Sequence, residues 1–468
     1  MFTLTIFKIP ERICEVVSAL NFGNFYFIME YSQFLETKKI SFIESGFDIL
    51  DSDLNPLLKD FQKYAVKVAV KKGRFAFYFD CGLGKTFCQL EWAKLVSEKT
   101  KSKVLILAPL AIVQQTKEEA IKFNINVDVF DITNYDQLKN IDTSKYSGIV
   151  LDESSILKGR DGKLSKLIIN TFSRTPYKLC CTATPSPNDH MELGQHSEFL
   201  GGMTYLEMLA MYFVHDGGET SKWRLRKHAE DNFWKYVCTW SMAIDNPGTL
   251  GFDSEGYNLP DIEYIEHFIE VENISTSLFG DVAVSATDLH KDLKRSFECR
   301  IKKTIELVNS NDEQWIIWAL SNNETDTLNK LIPNAVNVQG SNTPEYKAKH
   351  LNGFAHNDFK RLITKTSIAS MGMNYQNCHN MIFTSYDFKF EQFYQAVRRC
   401  YRFGQKEKVK VHLLIPSSQE NVRSTILQKQ DNHFRMIKQM SKYSAETDYK
   451  QNKPQREYKK QIIKLPNF

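Results

Sequence analysis

The chain has 468 residues, of which 42 % are hydrophobic and 25 % charged, with a formal net charge of +4. That length exceeds one ordinary core and suggests two to four domains, and the composition excludes a disordered or fibrous chain. The nine cysteines are scattered without C-x-x-C spacing, which excludes a zinc ribbon or a disulfide framework and points to reduced, cytoplasmic thiols.

The longest apolar runs, such as Val104 to Val113, are far too short to span a bilayer, so no membrane partner is expected. No secretory signal is expected either, because Lys8, Pro10 and Glu11 interrupt the first apolar run. The charge is uneven. From Ser441 onward there are seven Lys/Arg and three Asp/Glu, whereas the rest of the chain is neutral. A polyanion must therefore be held by local patches.

Residues 1–53 form an N-terminal segment, in which 1–28 read as an upstream extension of the frame or a small packing element. From 54 to 200, apolar runs at Phe75–Phe79, Val104–Ala108, Val127–Phe130, Ile149–Leu151 and Tyr177–Cys181 alternate with helical patterns at Phe87–Val96 and Ile112–Phe123. This is the signature of βαβ units and a parallel sheet. After the first run comes Phe79-Asp80-Cys81-Gly82-Leu83-Gly84-Lys85-Thr86, a strand–glycine loop–helix sequence. Such a loop cradles phosphates with backbone N–H groups, while Lys85 would reach the β- and γ-phosphates and Thr86 an Mg²⁺ ion. Phe79 stands where the strict pattern has its first glycine, so a structural glycine turn is the competing reading.

Asp152-Glu153 closes the run Ile149–Leu151. Beside a phosphate loop, a carboxylate at that strand end is where a metal-holding aspartate sits, and Glu153 could then act as general base toward water. Thr182 and Thr184, next to Pro185 at the end of Tyr177–Cys181, could relay hydrogen bonds from an ATP site to a bound strand.

The stretch 201–313 reads as mostly helical. Its Trp223, Trp234 and Trp240, with Lys222, Arg224, Arg226 and Lys227, suit either nucleic-acid stacking or the packing of a helical insertion. The α/β pattern returns over 314–440, in Trp315–Ala319, Val336–Val338, Leu362–Thr364, Met381–Thr384 and Val409–Ile415. A helical pattern starting near Phe390 puts Arg399 and Arg402 on one face, with Gln395 one turn before Arg399. Two guanidiniums and an amide there suit clamping a triphosphate across a cleft. Arg398 is placed about 100° round the helix and is expected to tolerate loss of its side chain. Residues 441–468 read as a basic tail, a flexible arm or a loosely docked helix.

Taken in order, these stretches resemble the superfamily 2 helicases, and within them the Swi/Snf-type DNA translocases in the compact version of bacteriophages and prophages. The resemblance covers roughly 54–200 and 300–420. It implies that Gln62 reads adenine, that Leu107-Ala108-Pro109-Leu110 is motif Ia, and that Ser370 to Tyr375, with Gly372 and Asn374, is motif V. Gln395 to Gln405 matches motif VI, ending in R-x-G-Q. Gln339 replaces the aspartate of the second-lobe D-G-S stretch. Ser155 stands where many relatives have histidine, which puts that residue's usual contact with Gln395 in question.

The expected fold is therefore α/β, with two RecA-like lobes and a helical insertion between them. The resemblance implies ATP bound with Mg²⁺ at Gly82, Gly84, Lys85, Thr86 and Asp152, Glu153 orienting water, and Arg399 and Arg402 completing the site on closure. Pro109, Thr182, Thr184, Gly372 and Asn374 would couple to or touch nucleic acid, expected to be double-stranded DNA bound without sequence preference. No chromatin-reading module is apparent. A strand-separating DNA or RNA helicase and a non-hydrolysing nucleotide-dependent clamp stay open as alternatives.

Overall fold

The run Phe75 to Phe79 is apolar throughout because its strand is buried on both faces, as central parallel strands are. The computed structural model describes residues 45–216, 219–270, 293–371, 373–416 and 420–447. The chain opens with α1 (Asp60–Lys72), β1 (Arg74–Phe79), α2 (Lys85–Thr100), β2 (Lys103–Ala108), α3 (Val113–Lys122), β3 (Phe130–Asn134), β4 (Tyr146–Asp152), α4 (Lys163–Thr171), β5 (Tyr177–Cys181) and α5 (Leu193–Leu200). Then come α6 (Tyr205–Tyr212), β6 (Phe213–Asp216), β7 (Glu219–Leu225), α7 (Glu230–Trp240), β8 (Ser241–Ile244) and β9 (Ile262–Ile269). It continues with α8 (Phe297–Val308), β10 (Trp315–Ala319), α9 (Asn322–Leu331), β11 (Ala335–Val338), α10 (Pro344–Ala355), β12 (Arg361–Lys365), β13 (Asn380–Phe383), α11 (Phe390–Val397), β14 (Val409–Pro416) and α12 (Glu420–Glu446).

Two six-stranded parallel sheets result, ordered β3-β2-β4-β5-β1-β8 and β11-β12-β10-β13-β14-β9. These are the two RecA-like lobes. In the first, Phe75, Phe77 and Phe79 share one face of β1, with Phe77 stacked on Phe79 at 4.8 Å. Each fully buried phenylalanine contributes roughly 1.5–3 kcal/mol of transfer free energy. In the second, β10 is buried along its whole length. There Arg300 on α8 pairs with Glu324 on α9 and donates to the Thr384 carbonyl, tying two helices to the sheet.

The stretch between the lobes is less separate and less helical than its composition suggests. It supplies β8 to the first sheet and β9 to the second, each at an edge, plus the antiparallel hairpin β6–β7. Trp234 and Trp240 are 1 % and 0 % exposed, so they pack a core and are not available for base stacking. Trp223 sits on the hairpin, its ring 3.7 Å from that of His215. The apolar run Val127–Phe130 also differs from its reading: 127–129 form a 3-10 turn and the strand starts at Phe130. Asn126 explains this, because its side chain accepts the Asp128 N–H and closes the turn first.

The last helix crosses between lobes. It leaves the second sheet after β14 and lies against α7 and β8 of the first. Tyr443 donates to Asp231, and the Ser444 hydroxyl accepts the Ala243 N–H at 3.2 Å. Ser441 to Glu446 therefore belong to a docked helix, and the boundary expected after Met440 falls inside it. Residues 1–28 and most of the basic tail, from 448 on, lie outside the described residues.

Candidate functional site

Strands β1, β5 and β4 are neighbours in the first sheet, so their carboxyl ends bring three loops together. Phe77 is paired with Cys181, and Cys181 with Asp152. The phosphate loop follows β1. Gly82 and Gly84 have φ of 90° and 78°, a region that only glycine enters at little cost, and α2 starts directly behind them at Lys85. A Cβ on Gly84 would meet the Gln62 amide at 2.3 Å, so the loop is packed as closely as glycine allows. Gln62 itself is buried: its Nε2 donates to the Leu83 carbonyl at 3.0 Å and its Oε1 accepts the Lys59 N–H at 2.9 Å. The Lys85 ammonium donates to the Phe79 carbonyl at 2.7 Å, and Thr86 follows it on the first turn of α2.

Asp152 ends β4, 7 % exposed, its carbonyl held by the Tyr135 hydroxyl at 2.7 Å. Burial raises its carboxyl above the ordinary value, opposed by the neighbouring Gln89 amide and the Lys85 ammonium. Glu153 adopts φ 60°, ψ 57°, a left-handed conformation that a non-glycine residue keeps only where its surroundings impose it. Burial pushes its carboxyl up to about 7, helped by the like charges of Glu391 and Asp152 and opposed by Lys85 and Thr182. Thr182 donates its hydroxyl to Glu153 and accepts the Thr184 N–H at 3.0 Å. The Thr184 hydroxyl is buried without a partner among the described residues.

The second lobe meets this surface. Cys81 and Ala183 pack against its core, and Gly82 faces the backbone of Phe403. Arg399 and Arg402 do not share a helical face, because α11 ends at Val397. The Arg399 carbonyl accepts the Tyr375 N–H at 2.9 Å, and the chain proceeds in turns through Gln405. Arg399 still turns inward: burial lowers its pKa, the Glu153 carboxylate is among the groups opposing that shift, and its Nε is buried without a partner among the described residues. Burial and the like charge of Arg399 likewise lower that of Arg402.

Arg398 is not the bystander expected of it. It pairs with Asp80 of the phosphate loop, which also accepts the Tyr394 hydroxyl at 2.6 Å. Burial works against the Arg398 charge, but the Asp80 carboxylate holds its pKa above the usual value. The i, i+4 spacing of Tyr394 and Arg398 was the available signal. Ser155 also differs: among the described residues its hydroxyl partners are Glu153 and Glu391, and Gln395 is not one of them. Gln395 is half-buried one turn after Glu391. Of the other expected residues, Pro109 is half-buried beside the exposed Leu110, Asn374 is exposed, and Gly372 lies outside the described residues.

Thr86 and Asp152 are hard oxygen donors, and one carboxylate plus substrate phosphates is a set that Mg²⁺ takes. The partnerless Arg399 Nε fits an anion at the same cleft.

Residues 55–175 match the family model of the type III restriction enzyme res subunit, and residues 299–404 that of the helicase conserved C-terminal domain. Among solved structures, the Sulfolobus solfataricus SWI2/SNF2 ATPase core in complex with dsDNA is similar over 86 % of this chain and 97 % of its own, with 15 % identity and a TM-score of 0.40. Among curated proteins, none matches the chain significantly. No described helix is long and apolar enough to cross a membrane. The reading as a non-hydrolysing clamp is set aside: the two matched domains stand in the order of helicase-type ATPases, and the chain is an ATP-hydrolysing enzyme of helicase type.

Proposed function

We propose that the chain is a Swi/Snf-like, DNA-dependent ATPase that moves along double-stranded DNA, in phage or prophage DNA metabolism. In this reading Lys85 leaves the Phe79 carbonyl to neutralise phosphate charge, Thr86 and Asp152 hold Mg²⁺, and Glu153 orients the attacking water. Gln62 stands beside the adenine, and Gln395 on the opposite wall. Held by Thr86 and Asp152, the metal would supply charge neutralisation to the phosphates. Arg399 and Arg402 meet the γ-phosphate from the second lobe, where an arginine stabilises charge developing in the transition state. Thr182 links Glu153 to the Thr184 turn, which carries the state of the site toward a bound strand. Pro109, Gly372 and Asn374 touch DNA phosphates, so binding is independent of sequence.

The observation that carries the proposal is the Thr182–Glu153 hydrogen bond at the end of the first-lobe sheet, where the second lobe packs against the phosphate loop at Cys81 and Gly82. The ordered motif series supports the Swi/Snf type, and its compact form supports the phage setting. A second reading, strand separation, is favoured by the β6–β7 hairpin, whose paired His215 and Trp223 rings could wedge between the strands of a duplex. ATPase assays without nucleic acid and with duplex DNA, single-stranded DNA or RNA test both. Duplex DNA should stimulate most, and the protein should displace a triplex-forming strand without unwinding a duplex. Stimulation by single strands alone, with unwinding, would transfer the assignment to the second reading.

A further inference from the structure

Ser155 lies between two carboxylates of different lobes. Its hydroxyl is 3.3 Å from Glu153 Oε1 and 2.5 Å from Glu391 Oε1, a residue 236 positions away on the first turn of α11. A serine hydroxyl has a single proton to donate, so it serves one carboxylate at a time. The nearer is Glu391, and Lys158, three residues after Ser155, pairs with Glu391 and holds it there. Glu153 Oε1 already accepts the Thr182 hydroxyl. A second hydrogen bond, from Ser155, would stabilise the ionised carboxylate further and weaken it as a base toward the water proton.

We propose that Glu391 is a positioning residue for hydrolysis, drawing the Ser155 hydroxyl away from Glu153 when the lobes come together. In the separated state Ser155 turns back to Glu153, two residues earlier, and the carboxylate carries two hydroxyl hydrogen bonds. Closure brings Glu391 into reach, Ser155 changes acceptor, and Glu153, with one hydrogen bond fewer, regains basicity. Lobe closure thus frees the base as well as delivering the arginines. Ser155, where relatives carry histidine, is the residue type this exchange needs: a small rotor with one proton. The inference rests on Glu153 as the water-orienting group.

The test uses the full-length protein at saturating duplex DNA and compares kcat with KM for ATP. Glu391→Ala should lower kcat roughly tenfold or more, the size of one hydrogen bond to a charged group, with KM within about twofold of the parent. The decisive variant is the double one. In Ser155→Ala no hydroxyl remains to fall back on Glu153, so Ser155→Ala/Glu391→Ala should be faster than Glu391→Ala alone. A double variant as slow as Glu391→Ala, or Glu391→Ala with parental kcat, overturns the proposal. If Glu391→Ala does not fold, Lys158→Ala, which releases Glu391, decides: kcat should fall and Ser155→Ala/Lys158→Ala should recover it, whereas parental kcat in Lys158→Ala or no recovery in the double overturns the exchange. Glu153→Gln keeps the underlying reading separate, because parental turnover there removes Glu153 from the site whatever Glu391 does.

Discussion

The guanidinium of Arg398 and the carboxylate of Asp80 pair across the two lobes, 318 residues apart, with side chains only 9 % and 17 % exposed. Removing one partner leaves the other largely buried and unpaired, a loss on the order of 3–5 kcal/mol. Arg398→Ala should therefore lower kcat at least about tenfold by letting the lobes separate. Asp80→Asn should match it, and the double variant should be little worse than either. Parental ATPase activity in Arg398→Ala would return this residue to the surface role that helix geometry alone suggests.

Lys85→Ala should abolish turnover while leaving the fold intact, since its hydrogen bond to the Phe79 carbonyl is worth only about 1.5–3 kcal/mol. Glu153→Gln should keep nucleotide affinity and stall hydrolysis, because the amide cannot take a proton. Nucleotide binding and single-turnover hydrolysis measured on both variants check this. Equal loss of affinity in the two would remove Glu153 from the role of base.

Burial lowers His190, His196, His412 and His433 to about 4, with the neighbouring His267 charge adding to the shift of His412. The folded chain then binds fewer protons than the unfolded one between about pH 6.5 and 4, so stability is lost as pH falls through that window. The unfolding midpoint should drop steeply on acidification from pH 7. His433→Phe, placed among Phe390, Tyr394 and Phe434, should reduce that slope by about one proton. A midpoint independent of pH over the window would contradict the assignment.

Truncation has to respect α12. Cutting after Met440 removes Tyr443 and Ser444, both buried against the first lobe, and should destabilise it. Cutting after Thr447 removes six Lys/Arg and two Asp/Glu without touching a described contact. That shorter protein should keep its basal ATPase rate and show a flatter salt dependence of DNA binding. An unchanged salt slope would mean that the tail does not meet DNA.

By itself the sequence determined what local periodicity and glycine chemistry can express. The strands ending at Phe79, Asp152 and Cys181 were legible as apolar runs, and the loop at Gly82 and Gly84 as a place where only glycine fits. Parallel order then puts those ends side by side. What only the tertiary structure decided are pairings between residues of different elements, to which no local pattern refers. Arg398 reads as one more surface cation until Asp80 lies opposite it. The helical pattern through Arg402 stops at Val397 because the Arg399 carbonyl is taken by Tyr375 from another loop. The middle stretch looks helical because β8 and β9 are edge strands that gain their hydrogen bonds only from sheets formed elsewhere in the chain. Ser155 shows the same limit most sharply: its identity was legible as a departure from the motif, but its acceptor was chosen by whichever carboxylate the second lobe brought nearest.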